Sequence, residues 1–232
     1  SVDAFFEASI ARGLRMACGK VLMDRNAPEA LTDTEQSGYD QTKALIEKWH
    51  GVGRNVYAIS PRFALTSTPA QLEVAGALWR EHPGTLMQTH LSENPKEINW
   101  VAELFPDAPD YFGVYETFGL SGPGAIFGHA IYLTKRERTA IRDSGSAIAH
   151  CPTSNTFIGS GLFDIEGLRD IDQPVSVGLA TDVAGGTSLS MFATMRSAYE
   201  VAQLKGYSLH PAKAWYLATV GSARAMRLED RI

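Results

Sequence analysis

At 232 residues, with 44% hydrophobic and 20% charged residues and a formal net charge of −5, the chain can bury a sizeable core and has no surplus of positive charge. That balance argues against a nucleic-acid partner, and no run approaches the ~18 apolar residues of a membrane-spanning helix. Two cysteines, Cys18 and Cys151, make no disulfide framework and no CxxC pair, so each reads as a small buried hydrophobe in a reducing cytoplasm.

The opening residues, Ser1 to Phe6, read as a helix start and not as a leader peptide. With no initiator Met and an abrupt end at Arg231–Ile232, the sequence suggests a fragment. Apolar residues at helical spacing (Phe5, Phe6, Ile10, Leu14, Ala17) predict a helix from Asp3 to Cys18, ended by Gly19. Lys20 to Asp24 is a short buried strand, followed by a polar loop from Arg25 to Asp33. Thr34 to Trp49 is a helix broken by Gly51–Val52–Gly53. Val56 to Ser60 is the next strand, running into Pro61–Arg62–Phe63, and Pro69 to Arg80 the next helix. The strand through Thr85–Leu86–Met87–Gln88 ends at His90. Pro95 at the first helical position, with Asn94 and Glu97 as a capping pair, opens a helix that ends near Phe105.

Pro106 to Gly124 reads as a long connection. Ala125 to Ala130 is a strand, Thr134 to Asp143 a helix capped by Thr134 and Glu137, and Gly145 to Pro152 a strand and turn. Gly159–Ser160–Gly161 leads into a short helical region through Arg169. Val175 to Asp182 is the last strand, and two helices, Leu189 to Leu204 and Pro211 to Met226, close the sequence.

Six short, nearly all-apolar strands, near residues 21, 56, 86, 126, 147 and 176, therefore alternate with helices. This α/β pattern predicts a parallel sheet covered on both faces, either doubly wound or a (β/α)8 barrel that is not complete here. No GxGxxG or GxxxxGK[ST] follows any strand, so a Rossmann or P-loop reading has no anchor. A single domain over residues 1–232, without a linker, is expected.

Polar chemistry collects at the strand ends: Arg62, His90, His129 and His150 each end a strand, Asp182 ends the last, and Glu93 lies in the turn beyond His90. Barrel enzymes build their sites from strand ends and βα loops. Two His and one Asp with an open coordination position suit a catalytic Zn²⁺ or Fe²⁺. The bland alternatives are a buried hydrogen-bonded His90 beside a helix-capping Glu93, a core His129, and an Asp182 that caps a helix before Gly185–Gly186. Arg62 and Phe63 would then be ordinary surface and core residues. His50 at a helix end, His82 before a Pro and His210 at a helix start read as structural.

The stretches His90–Leu91–Ser92–Glu93–Asn94, Gly128–His129–Ala130, His150–Cys151–Pro152–Thr153–Ser154–Asn155 and Leu179–Ala180–Thr181–Asp182 together resemble the amidohydrolase superfamily. They match the branch that deaminates purines, pyrimidines and triazines. Lys20 to Asp24 with the preceding Gly19, Ser60–Pro61–Arg62–Phe63, and Thr181 to Gly186 look most like its guanine-deaminating family.

The resemblance implies a metal-dependent (β/α)8 TIM-type barrel that is incomplete in this sequence. Lys20 to Asp24 matches the family's third strand, no His-x-His occurs anywhere, and the first strands and the β-sandwich segments would be absent. It also implies hydrolysis of guanine to xanthine and ammonia, as in purine catabolism, with a small-molecule purine substrate, one divalent metal and a homodimer. By motif, His90, His129 and Asp182 would be metal ligands, with Asp182 also taking a proton and Glu93 shuttling one. Arg62 and Phe63 would bind the purine, and His150 would orient hydroxide or touch a ring nitrogen. Without the His-x-His pair this chain alone is expected to be poorly active. Competing readings are an aminohydrolase acting on triazine, pyrimidine or adenosine-type substrates, and a non-catalytic barrel remnant.

Overall fold

The first helix, α1 (Val2–Ala11), ends where Gly13 turns left-handed at φ 62°, in a computed structural model that describes residues 2–168 and 174–231. Gly13 N–H and Leu14 N–H bond back to the carbonyls of Ile10 and Ser9, the closure a helix C-terminus requires. The expected helix reaching Cys18 is therefore corrected. Ala17–Cys18 is instead strand β1, pairing in parallel with β3 (Val56–Pro61). Gly19 ends no helix. A Cβ there would stand 1.7 Å from the Ala58 carbonyl oxygen, so glycine lets the chain cross the backbone of β3.

The chain divides into two compact units, residues 1–89 with 107–109 and 113–120, and residues 90–106, 110–112 and 121–232. In the first, β2 (Val21–Leu22) also pairs with β3, and β3 pairs with β4 (Leu86–Leu91) through Ala58 opposite Leu86 and Ile59 opposite Met87. All six β3 residues are buried, as a strand inside a parallel sheet demands. Helices α2 (Glu35–Trp49) and α3 (Pro69–Glu81) start where predicted, with Thr34 and Thr68 side chains accepting the N–H three residues on.

In the second unit, β5 (Ala125–His129), β6 (Ala147–His150) and β7 (Ser176–Leu179) run parallel and in register. Helix α4 (Pro95–Leu104) follows β4, and α6 (Lys135–Ser144) links β5 to β6. The predicted long connection from Pro106 to Gly124 contains a helix, α5 (Tyr111–Thr117), whose Tyr111, Phe112, Val114 and Tyr115 are buried. Its glycine- and proline-rich flanks obscured it.

After β6 comes α7 (Pro152–Phe157); residues 165–168 form a turn, and Arg169, the expected end of a helical region, lies outside the described residues. Helix α8 (Met191–Leu204) follows β7. The expected single helix from Pro211 to Met226 is two, α9 (Pro211–Ala218) and α10 (Val220–Ala225), broken at Thr219. The break seats α10 against β7, where a Cβ on Gly178 would lie 2.8 Å from Ser222 Cα. Every strand pairing named here is parallel, which is the expected α/β class. Among the described residues no helix is long and apolar enough to cross a membrane.

Candidate metal and active site

The ends of β4, β5, β6 and β7 set the candidate residues. His129 is the last residue of β5 and His150 the last of β6. Asp182 follows β7 by a short turn that begins as Ala180 N–H bonds the His150 carbonyl at 2.9 Å. Asp182 caps no helix: the turn folds back through a Val183–Gly186 bridge, and α8 is capped by Ser190. A Cβ on Gly186 would lie 1.9 Å from the Thr181 carbonyl oxygen, so only glycine closes that turn.

Backbone strain concentrates here. Ser92, His129, Ala130, Asp182 and Ala184 all have positive φ (48°, 67°, 49°, 45° and 108°), a region that side chains other than glycine enter at a cost of roughly 1 kcal/mol or more each. Only Asn26 and Arg227 share the conformation elsewhere among the described residues. Ala130 N–H bonds the Leu91 carbonyl at 2.8 Å and Ile131 N–H that of Ser92 at 3.1 Å, fixing the turn that carries His129 beside the one that carries Glu93.

The side chains converge. His129, Cys151 and Asp182 offer ligand atoms that all lie within 4.8 Å of one another. His90, half-buried on β4, stacks on His129 with ring centroids 5.2 Å apart. Asn155 Oδ1 sits 2.8 Å from His129 Nδ1, which leaves Nε2 as the free ligand atom, the usual tie behind a metal-bound imidazole. Glu93 Oε2 lies 3.6 Å from His129 Nε2, and its Oε1 accepts a 2.7 Å hydrogen bond from Ser160. The donor atoms brought together, an imidazole nitrogen, a thiol sulfur and a carboxylate oxygen, are of the kinds that can hold a divalent metal.

Cys151 is buried within this cluster and His150 next to it. Burial, with His129 adding to it, pushes the His150 pKa down to about 3, so its ring is neutral at pH 7. That ring stacks on Phe163 at 4.2 Å, and its Nδ1 has no hydrogen-bond partner among the described residues. Burial and then the Asp182 charge push the Cys151 thiol up to about 12, and its Sγ lies 3.3 Å from the Ala149 carbonyl oxygen. A cation using that sulfur would have to displace its proton.

Arg62 and Phe63 belong to the first unit. The Arg62 guanidinium lies over the Phe63 ring at 5.3 Å, and its Nη1 lies 3.8 Å from Met23 Sδ. The turn is held from behind: Ala64 N–H donates to Tyr115 Oη at 3.1 Å, and Thr89 Oγ1 donates to the Arg62 carbonyl at 3.1 Å. The three histidines read as structural sit at helix ends, His50 and His82 as C-caps and His210 as an N-cap whose Nδ1 accepts from Ala212 N–H.

In the sequence Cys151 reads as a small buried hydrophobe, and Ser154 and Asn155 as residues that satisfy turn backbone; the structure adds the Cys151 sulfur to the cluster. Ser154 does satisfy its turn, donating to the Cys151 carbonyl, whereas Asn155 turns to His129. Ser160 was visible only as the middle of Gly159–Ser160–Gly161; its partner lies 67 residues away.

The amidohydrolase family model matches residues 1–232. The chain is 47% identical to guanine deaminase of Escherichia coli strain K12 over 232 residues, all of this chain and 52% of that protein. A solved E. coli guanine deaminase superposes with a TM-score of 0.96 over 99% of this chain and 53% of its own. A guanine deaminase from C. acetobutylicum, solved with guanine bound, is 28% identical with a TM-score of 0.90, over 97% of this chain and 55% of its own. The chain thus spans about half the length of the relatives it matches. It has the α/β fold of part of their barrel. Over residues 1–232, this chain belongs to the amidohydrolase family.

Proposed function

We propose that this chain is the catalytic part of a metal-dependent hydrolase that converts guanine and water to xanthine and ammonia. The observation that carries the reading is Glu93, with one carboxylate oxygen on Ser160 and the other 3.6 Å from His129 Nε2, beside the His129–Asp182 pair. That these relatives are guanine deaminases, one of them solved with guanine bound, supports the choice of substrate.

A zinc or iron(II) ion held by His90, His129 and Asp182 would supply Lewis acidity that brings the pKa of water to roughly 7. Asp182 would take the proton leaving that water. As oxygen adds to the ring carbon bearing the amine, Glu93 would protonate the neighbouring ring nitrogen through Oε2. Asp182 would then pass its proton to the amine as the carbon–nitrogen bond breaks, and the added oxygen would return its remaining proton to Glu93, so that water's oxygen replaces ammonia. Arg62 would bind the polar ring edges and Phe63 the ring face. His150, kept neutral by burial, would hydrogen-bond without adding charge. Such an enzyme would serve purine breakdown in the cytoplasm. The 232 residues alone would turn over poorly, because no His-x-His pair is among them to complete the ligand set.

The test is xanthine formation from guanine by the full-length protein that carries this chain, loaded with zinc, with adenosine, cytosine and a chlorotriazine alongside. Conversion of guanine that disappears in Glu93→Gln supports the reading. Conversion of another substrate replaces guanine and keeps the chemistry. If the zinc-loaded protein converts none, it is a barrel remnant.

A further inference from the structure

We infer that Ser160 is a positioning residue that fixes which oxygen of Glu93 carries the mobile proton. The inference rests on the deaminase reading for its kinetics and on geometry for its origin.

The loop that holds Ser160 has little freedom. Its N–H donates to the Asn155 carbonyl at 2.8 Å, and the Gly161 N–H donates to the same oxygen at 3.3 Å. The Ser160 carbonyl accepts from the Tyr132 hydroxyl at 2.8 Å. Gly161 sits at φ 147°, and a Cβ there would meet Tyr132 Oη at 2.4 Å, so the loop closes on Tyr132 only with glycine. Ser160 is 7% exposed, and its hydroxyl leaves its own loop to donate to Glu93 Oε1 at 2.7 Å.

A serine hydroxyl has one hydrogen to donate, and here Oε1 receives it. When Glu93 is protonated, Oε1 remains the carbonyl-type acceptor and the proton lies on Oε2. That is the oxygen facing His129. The same loop is tied to the candidate ligand itself, because the side chain of Asn155 holds His129 Nδ1. A closed circuit results: His129 to Asn155, Asn155 to Ser160, Ser160 to Glu93, and Glu93 back to His129. Without the hydroxyl, either oxygen of Glu93 could take the proton, and half of the arrangements would point it away from the site.

The test compares the full-length protein with Ser160→Ala and Ser160→Thr. Losing an orienting partner of this type costs about 10–100-fold. Ser160→Ala should lose that factor in kcat, with KM within about twofold and zinc content unchanged, while Ser160→Thr, which restores the hydroxyl, should recover most of kcat. Equal loss in both variants, or a parent-like kcat in Ser160→Ala, overturns the proposal. The Glu93 carboxylate stretch supplies a readout that needs no substrate. It is isolated as the infrared difference between the parent and Glu93→Gln, and it should shift in Ser160→Ala. An unmoved band overturns the proposal even in a protein that does not convert guanine. A shifted band in such a protein keeps it and discards only the substrate.

Discussion

Two glutamates stand at helix starts in the same unit, and they are used in opposite ways. Glu137, 2% exposed, has both oxygens engaged by backbone: Oε2 accepts from Thr134 N–H at 2.8 Å and Oε1 from Phe112 N–H at 3.1 Å. It closes the capping box of α6 and pins the start of α5. Glu93, just before α4, has one oxygen held by a hydroxyl and the other turned towards His129. The first carboxylate is consumed by the fold, whereas the second has one oxygen turned to His129, the oxygen that the proposed proton transfer would use. The histidines divide the same way. His150 is sealed against Phe163 and neutral, whereas His129 has Nδ1 fixed and Nε2 presented to its neighbours. A residue's chemistry is thus read from which of its polar atoms the fold leaves over.

The largest effect should follow from removing the available oxygen. Glu93→Gln should lower guanine turnover by ~10²–10⁴-fold, the usual weight of a general acid–base group. Its melting temperature should stay close to the parent's; a collapse of stability would place Glu93 with Glu137 and break the comparison.

Acid titration of stability should sharpen the histidine half. With its folded-state pKa near 3, His150 protonates first in the unfolded chain, where a histidine titrates near 6.5. Its contribution is fully present above about pH 6.5 and is lost as the pH falls towards 3, by a few kcal/mol over the window. Urea midpoints measured between those values should slope less steeply in His150→Gln.

Glu137→Ala should cost ~1–3 kcal/mol, because two backbone N–H groups lose their acceptor in a buried place. Turnover per folded molecule should not change. Thr134→Ala, which removes only the cap beside it, should cost ~1 kcal/mol by the same urea measurement.

Local signals were legible where they were complete within a few residues. Thr34, Asn94 and Thr134 all cap the helices they were expected to start, since a cap needs only the N–H three residues on. His129 and His150 end strands as the apolar runs before them predicted. Signals set by distant contacts were not legible. Gly19 resembled a helix stop because the Ala58 carbonyl it passes lies on another strand. Helix α5 was hidden because it is only 7 residues long and its flanks carry Pro109, Gly119 and Gly122. Cys151 resembled a small hydrophobe, and by burial it is one; only folding brings its sulfur within 4.8 Å of the His129 and Asp182 ligand atoms.

Ala130, next to His129 and also left-handed at φ 49°, has a consequence for how such a chain can change. Glycine would relax that turn and return up to about 1 kcal/mol. It would also loosen the direction in which His129 points. Selection for heat resistance and selection for turnover should therefore pull position 130 apart: a library screened by heating should enrich Ala130→Gly, and one screened by product should lose it.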